Sequence, residues 1–233
     1  MQRLSITWYG HSTFLVRTPG GVRLLFDPWF AGNPSCPPAS RRPPAADLVL
    51  VSHGHADHTG DVVLASRESA APVVAIFELC EWLGRKGVQR LEPMNVGGTI
   101  SLRGLRISMT EARHSSSTTE DGQVLYLGEA AGFVIELEDG RCIYFAGDTA
   151  LFGDMKLIRE RYSPAIAFLP IGDRFTMGPQ DAATACRWLG VRQVVPMHWG
   201  TFPLLTGEAA ALKDALAGSG VDVLDLTPGE TAD

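Results

Sequence analysis

The sequence of 233 residues has no run of about 20 apolar residues, the length that a membrane-spanning helix requires. Its first residues, 1–8, also lack the apolar stretch of a signal peptide. Cysteine is scarce: there are four, and no two of them have the C-x-x-C spacing of a zinc ribbon or a redox motif. These absences predict a cytoplasmic protein with free thiols and no membrane partner.

Positive charge is also in short supply. There are 20 Lys and Arg residues against 26 Asp and Glu residues, so the net charge is −6. A protein that holds a nucleic-acid backbone needs a basic surface, and we therefore expect no nucleic-acid partner. Apolar residues make up 45% of the chain and charged residues 20%, which excludes a disordered protein. We expect one domain, 1–233, that buries its core without disulfides.

The apolar pattern predicts many short strands and fewer helices. Alternating apolar residues mark half-buried strands near the start, and the continuous apolar run 47–52 predicts a strand that is buried on both faces. The predicted strands are 4–8, 13–17, 22–26, 47–52, 73–76, 99–102, 105–110, 132–137, 142–145, 165–169, 193–196 and 221–224, and the predicted helices are 61–69, 78–86, 179–189 and 207–217. This order of elements favours two packed sheets with helices outside.

The segment 28–44 contains six prolines, which excludes a helix or an interior strand there. One interpretation is an irregular surface loop. The other is a loop that walls an active site, in which Trp29 and Phe30 supply apolar contacts to a substrate.

Three of the six histidines fall within six residues, in the segment SHGHADH at 52–58. His53, His55, Asp57 and His58 directly follow the predicted strand 47–52, and sheet enzymes place their chemistry just beyond strand ends. Neutral imidazoles and carboxylates are good ligands for divalent zinc, manganese or iron. The cluster therefore predicts a metal site, with Gly54 giving the backbone the freedom to turn residues toward two metals.

Further ligands are needed if two metals bind. His114, Asp148 and His198 each follow a predicted strand, which is the same kind of position as that of the 52–58 segment. A lone histidine or aspartate after a strand is more often a structural residue or a turn residue. Their shared placement at strand ends favours the metal-binding interpretation.

The ordered set H-x-H-x-D-H, a later histidine, Gly-Asp-Thr and a final histidine resembles the metallo-β-lactamase superfamily. The resemblance covers nearly the whole chain and implies an α/β fold: an αββα four-layer sandwich of two mixed β-sheets with helices on the outer faces. The segments WYGHSTF at 8–14, FDP at 26–28, FTMGP at 175–179 and MHWGT at 197–201 look more narrowly like an uncharacterised family of metal-dependent hydrolases. That family is related to L-ascorbate-6-phosphate lactonase.

The resemblance also implies a dinuclear metal centre and roles for its ligands. The cofactors would be two divalent metal ions, zinc in the first place, with manganese, nickel or iron as alternatives. The first metal would be held by His53, His55 and His114, the second by Asp57, His58 and His198, with Asp148 as the bridge between them.

Other residues near this centre are expected to contact the substrate or to support the ligands. His11 is either a substrate or transition-state contact or a buried histidine bonded to backbone, and Asp57 could also move a proton. Asp27 either accepts the second N–H of a ligating imidazole or serves only in a turn. The predicted catalytic residues are Asp57 and His11, and the predicted substrate contacts are His11, Trp29, Phe30, Thr176 and Trp199.

These features predict a hydrolase in which a hydroxide between two metals attacks an ester, lactone or phosphodiester of a small molecule. The second motif position is His55 and not the glutamate of di-iron redox relatives, which favours hydrolysis. The alternatives are a non-catalytic metal-binding sensor or scaffold and a superfamily nuclease or phosphodiesterase. The sequence is also compatible with a homo-oligomer.

Overall fold

A computed structural model describes residues 3–233 of the chain. Its strands form two seven-stranded sheets and one hairpin. The first sheet has the order β16-β1-β2-β3-β4-β5-β6 and comprises β1 (Ser5–Trp8), β2 (Phe14–Arg17), β3 (Arg23–Phe26), β4 (Leu48–Leu50), β5 (Val73–Ile76), β6 (Leu91–Met94) and β16 (Thr231–Ala232). It is mixed, because β1, β2 and β3 pair antiparallel whereas β3 to β6 pair parallel.

The second sheet has the order β15-β14-β13-β12-β11-β8-β7. It comprises β7 (Thr99–Leu102), β8 (Leu105–Glu111), β11 (Ala131–Glu136), β12 (Cys142–Phe145), β13 (Ile166–Pro170), β14 (Gln193–Met197) and β15 (Asp222–Val223). This sheet is also mixed, since β7 to β12 pair antiparallel and β12 to β15 pair parallel. The separate hairpin joins β9 (Ser117–Glu120) to β10 (Gln123–Tyr126).

Aromatic and branched side chains fill the space between the two sheets. The ring of Phe26 from β3 stacks on that of Phe145 from β12 with centroids 4.5 Å apart, and Phe14 from β2 meets Phe168 from β13 edge-on at 5.1 Å. All four rings are fully buried. Burial of large apolar side chains is the main stabilising contribution to such a core.

Helices cover the outer faces. The helices are α1 (Ala56–Thr59), α2 (Val62–Ser69), α3 (Phe77–Arg85), α4 (Met155–Tyr162), α5 (Pro179–Leu189) and α6 (Ala209–Ala215). Apolar residues of α2 and α3 join the core of the first sheet, whereas α4, α5 and α6 build a second apolar cluster on the second sheet. The predicted αββα sandwich of two mixed sheets is thereby confirmed.

Several predicted features of the chain are confirmed and others need correction. All four cysteines are free. No helix within residues 3–233 is long and apolar enough to cross a membrane. The prediction that 28–44 contains no helix fails for one short 3-10 turn, Pro38–Ser40, which begins at a proline. The segment is also less of a surface loop than expected, because Phe30, Asn33 and Cys36 within it are buried.

The apolar pattern missed β6, α1, α4, β16 and the β9–β10 hairpin. Strand β6 contains Glu92 and Pro93, which argue against a strand. It tolerates the proline because it lies at the edge of its sheet, where one face of the backbone needs no partner. Helix α4 was missed because four of its eight residues are charged and a fifth is a tyrosine, so that only Met155 and Ile158 are buried.

Candidate metal centre

Four strands lead to the candidate ligands at one edge of the sandwich. In the second sheet, β8, β12 and β14 run in the same direction, because β8 and β12 are both antiparallel to β11 and β12 to β14 are parallel. The residues beyond their carboxyl ends include His114, Asp148 and His198. In the first sheet, β4 leads into the 52–58 segment.

The 52–58 segment divides its side chains between two directions. His55 has extended backbone angles (φ −68°, ψ 148°), and α1 begins at the next residue. The extended part therefore carries His53 and His55, whereas the helical part carries Asp57 and His58. This change from extended to helical backbone is what lets neighbouring residues face different ligand sets.

Gly54 has a different reason to be glycine than the one predicted. Its φ is not positive, so backbone freedom is not what the position requires. A Cβ atom there would lie 2.7 Å from Leu127 Cδ1 and 2.9 Å from Leu127 Cβ, closer than such atoms approach. Glycine is needed because the buried Leu127 packs directly against the backbone of the motif.

The first ligand set consists of His53, His55 and His114. One ring nitrogen from each of the three lies within 4.8 Å of those of the other two. His53 is fully buried, and its Nδ1 lies 3.0 Å from the hydroxyl of Ser52, which fixes the orientation of the ring. Its Nε2 lies 2.9 Å from His55 Nδ1. The three imidazoles thus converge as the sequence predicted.

The second ligand set consists of Asp57, His58 and His198, and His11 converges on the same place. One nitrogen or carboxylate oxygen of each lies within 4.8 Å of the others. The sequence predicted the first three as ligands of one metal. His11 was placed near the site but not among the ligands.

Asp148 lies between the two sets. Its Oδ2 is 2.9 Å from His198 Nε2 and 3.4 Å from His58 Nε2, both in the second set. The same oxygen is 3.7 Å from His114 Nε2 and 3.9 Å from His53 Nε2, both in the first set. A carboxylate in reach of both sets has the position that the sequence predicted for a bridging ligand.

Three buried polar atoms at this centre have no hydrogen-bond partner within residues 3–233: His58 Nε2, Asp148 Oδ1 and His198 Nδ1. A buried polar atom without a partner costs free energy, about 1–3 kcal/mol for each. Two of these atoms belong to side chains in the second set and one to the carboxylate between the sets. Imidazole and carboxylate donors fit divalent cations, whose ligand bonds would satisfy His58 Nε2 and Asp148 Oδ1. His198 faces Asp148 with its other nitrogen, Nε2, so its Nδ1 would not be satisfied in this way.

The electrostatics of the centre agree with this fit. Burial, and then the neighbouring imidazole of His58, hold the pKa of His53 well below its usual 6.5. Burial also lowers the pKa of His55 and of His114. Imidazole binds a cation in its neutral form, so these shifts prepare the first set for a metal.

In the second set, neighbouring carboxylates shift the pKa of a histidine in the opposite direction. Burial lowers the pKa of His58, but the negative charges of Asp148 and Asp27 outweigh it and raise the pKa well above 6.5. Burial raises the pKa of Asp57, yet the hydrogen bond with His11 and the charge of His58 bring it below its usual range. The lowered pKa values of Asp57 and Asp148 mean that these two carboxylates favour positive charge beside them, which divalent cations also provide.

Asp27 supports His58 from behind. Its Oδ2 lies 2.7 Å from His58 Nδ1 and accepts a 2.6 Å hydrogen bond from the Ser52 hydroxyl, and its Oδ1 accepts one of 2.8 Å from the Ser52 N–H. Asp27 is fully buried. Of the two roles proposed from the sequence, the geometry matches the one in which Asp27 orients a ligating imidazole.

His11 lies behind Asp57. It is fully buried and has a positive φ of 55° in the turn between β1 and β2, where Gly10 has a φ of 94°. Its Nε2 is 3.1 Å from Asp57 Oδ2 and its Nδ1 is 3.0 Å from the Thr201 hydroxyl. Burial, and then the charge of His198, lower its pKa to about 4. The ring thus contacts two side chains, whereas the sequence predicted a substrate contact or a hydrogen bond to backbone.

A cavity of about 280 Å³ opens onto the two ligand sets. The residues that line it are His55, Asp57, His114, Ser115, Asp148, Phe175, His198 and Phe202. Five of these are predicted ligands. The sequence analysis missed Phe175, Phe202 and Ser115 as lining residues, although Phe175 begins the FTMGP segment and Phe202 directly follows MHWGT.

The predicted substrate contacts do not line this cavity. Phe30 is fully buried and packs edge-on against Tyr9, so it belongs to the core. Trp199 stacks on Trp8 with centroids 5.7 Å apart. The hydroxyl of Thr176 donates to the carbonyl of Met177.

Trp29 comes nearer, because its ring lies 5.9 Å from that of Phe202 and 5.2 Å from that of His11. Trp29 and His11 thus pack against the Phe202 ring that lines the cavity. The sequence alone could not show which aromatic residues line the cavity and which pack behind them, because this depends on which rings face the opening.

Comparison with known proteins gives consistent matches over the whole chain. The profile of the beta-lactamase superfamily domain matches residues 22–199. A UPF0173 metal-dependent hydrolase of Solibacter usitatus is 47% identical over 227 residues, which covers 97% of this chain and 98% of the relative. The structure of Igni18, a metallo hydrolase of the archaeon Ignicoccus hospitalis, has a TM-score of 0.87 at 35% identity and covers 98% of this chain and 97% of its own.

The fold is also similar to that of a more distant protein. The metallo-beta-lactamase fold protein YhfI of Bacillus subtilis has a TM-score of 0.72 at 15% identity, and each chain is covered completely. At this identity the likeness concerns the fold alone.

Proposed function

This chain belongs to the UPF0173 family of metal-dependent hydrolases within the β-lactamase superfamily, and from this premise we propose that it hydrolyses an ester, lactone or phosphodiester of a small molecule with two divalent cations. The observation that carries the proposal is the position of Asp148. Its carboxylate is in reach of two histidine nitrogens from each of the two ligand sets.

The residues that would hold the cations follow from the two sets. One cation would be held by His53, His55 and His114, and the other by Asp57, His58 and His198, with Asp148 shared. Zinc is the expected ion, and manganese, nickel or iron suit the same ligands. Two bound cations would supply Lewis acidity and a water that is acidic enough to act as a nucleophile at neutral pH.

The residues of the chain itself prepare the site for this reaction. Asp57 is about a third exposed (30%) at the cavity, so its carboxylate reaches both the second ligand set and the space for the substrate. His11 holds that carboxylate from the buried side. Asp27 and Ser52 hold the rings of His58 and His53. A preorganised ligand set of this kind needs little rearrangement during the reaction.

The size of the cavity limits the substrate. A volume of about 280 Å³ lies near the lower end of the range for small-molecule sites, roughly 300–1,000 Å³. The only serine in the lining, Ser115, has its hydroxyl 3.4 Å from His55 Nε2, on a predicted metal ligand. We therefore assign no serine nucleophile.

The proposal is tested by measuring bound metal and turnover on one preparation. Protein stripped with a chelator is reloaded with zinc or manganese, and esters, lactones and phosphodiesters are offered as substrates. We expect about two cations per chain and activity only in the loaded protein. Two bound cations without turnover of any compound would indicate a metal-binding sensor or scaffold instead, and no bound metal would contradict the proposal altogether.

A further inference from the structure

Apart from the predicted metal ligands, the wall of the cavity is mostly apolar. Beyond those ligands it consists of two phenylalanine rings and one serine, Phe175, Phe202 and Ser115. Phe175 is 52% exposed and Phe202 36% exposed. Large apolar side chains left open to solvent at a concave site are typical of a binding surface for an apolar ligand group.

The two rings are held differently. Phe202 packs against Trp29 and His11, with ring centroids 5.9 Å and 5.7 Å apart, so its position is fixed by the turn that also supports Asp57. Phe175 has the guanidinium of Arg174 over its ring, at 5.7 Å. The Phe202 ring thus packs against two aromatic side chains, whereas about half of Phe175 is exposed to solvent.

No lysine or arginine is among the residues that line the cavity. Two arginines adjoin lining residues in the chain without lining the cavity themselves. Arg113, next to His114, has its Nε 3.0 Å from Glu111 Oε1, and Arg174 lies over the Phe175 ring. A substrate with a carboxylate or phosphate remote from the reacting bond needs a cationic side chain to replace the water it loses, and the wall offers none.

We propose that Phe175 and Phe202 bind the hydrocarbon part of a small ester or lactone that carries no charge outside the reacting bond. This inference rests on the proposed hydrolase function and adds the class of substrate to it. The reaction consumes one water, breaks the acyl C–O bond, and releases a carboxylic acid and an alcohol, which stay joined if the substrate is a lactone.

Two esters that differ only in a remote charge test the substrate class. 4-Nitrophenyl hexanoate and mono-4-nitrophenyl adipate share the leaving group and the length of the acyl chain, but the second ends in a carboxylate, which is too far along the chain to attack its own ester readily. We expect the metal-loaded protein to hydrolyse the hexanoate with a kcat/KM at least about tenfold higher. An equal or higher value for the adipate would overturn the inference.

Variants identify the residues responsible. Phe175→Ala should raise KM for the hexanoate about fivefold to tenfold with little change in kcat, because the ring binds ground state and transition state alike. Phe175→Leu should restore most of the affinity. The matched control is Phe77→Ala: Phe77 is 51% exposed, almost the same as Phe175, but does not line the cavity. An unchanged KM in Phe175→Ala, or an equal rise in Phe77→Ala, would contradict the assignment.

A binding measurement separates this inference from the hydrolase function. Butyrophenone resembles a phenyl ester but cannot be hydrolysed, and its binding to the metal-free protein is followed by ligand-observed NMR. We expect binding that is lost in Phe175→Ala and kept in Phe77→Ala. If this result is obtained but no ester is cleaved by the loaded protein, the hydrolase proposal fails and the apolar site stands. If esters are cleaved but butyrophenone does not bind, the apolar site fails and the hydrolase proposal stands.

Discussion

The His11 imidazole bonds to the Asp57 carboxylate with 3.1 Å between Nε2 and Oδ2, and this contact ties the β1–β2 turn to the histidine motif. The opposite nitrogen, Nδ1, lies 3.0 Å from the hydroxyl of Thr201, which follows the last predicted ligand, His198, by three residues. With a pKa of about 4 the ring is neutral. It therefore donates from Nε2 to the ionised Asp57 and accepts at Nδ1 from Thr201.

This geometry makes His11 a positioning residue, with a predicted effect on metal binding. His11→Ala should weaken binding of the cation at the second set about 10–100-fold, as loss of a group that orients a ligand commonly does. The first set does not contact His11 and should keep its cation. Isothermal calorimetry with zinc, which resolves the two binding steps, is the measurement.

Two further variants give the controls. His11→Gln retains an amide N–H that can reach Asp57 and should recover part of the lost affinity. Thr201→Val removes the bond at Nδ1 only and should have a smaller effect than His11→Ala. Unchanged binding of both cations in His11→Ala would rule out the positioning role.

Asp27 is predicted to contribute to stability as well as to metal binding. Asp27→Ala leaves the Ser52 N–H and hydroxyl, and the buried ring of His58, without their partner. Removing one partner from such a buried set of hydrogen bonds should lower the free energy of unfolding by about 3–5 kcal/mol, measured by urea titration. The control is Asp47→Ala at the partly exposed pair with Arg23, for which a loss of about 1 kcal/mol or less is expected. Equal losses in the two variants would contradict the special role of Asp27.

Stability at alkaline pH should depend on Cys80. Burial, above all, raises the pKa of this thiol to about 12 from 9.0. Between these values the unfolded chain has lost the thiol proton whereas the folded chain keeps it. The contribution of Cys80 to the free energy of unfolding is therefore fully present below about pH 9 and is lost as the pH rises. The free energy of unfolding should fall by about 1.4 kcal/mol per pH unit in this window through Cys80 alone.

The measurement is urea unfolding across that pH window for the protein and for Cys80→Ala. The variant should show a shallower decline than the unmodified protein. Cys142→Ala serves as the control, because Cys142 is only partly buried and its pKa is raised less by burial. Parallel declines in the protein and in Cys80→Ala would contradict this prediction.

The sequence predicted those parts of the site that depend on local order. A ligand that directly follows a strand needs only the strand to be recognised, which is why the convergence of His114, Asp148 and His198 on the 52–58 segment could be expected. The sandwich itself followed from the resemblance together with the order of strands and helices.

The parts that could not be predicted depend on contacts between distant segments. His11 meets Asp57 at a separation of 46 residues and Thr201 at a separation of 190, and neither contact leaves a local pattern. Likewise, Phe30 and Phe202 are both phenylalanines in loops, yet one is buried and the other faces the cavity. Burial decided their roles, and burial in loops has no periodic signal.

Asp148 allows the most direct test of a shared centre. Because its Oδ2 is within 3.9 Å of nitrogens from both sets, Asp148→Ala should weaken both cations and leave less than one bound per chain after dialysis. His55→Ala, by comparison, removes a member of the first set only and should leave about one cation bound. Elemental analysis of the dialysed proteins measures both. Asp154→Ala, at an exposed residue before α4, should keep the full complement. If Asp148→Ala loses no more metal than His55→Ala does, the two sets do not share this carboxylate.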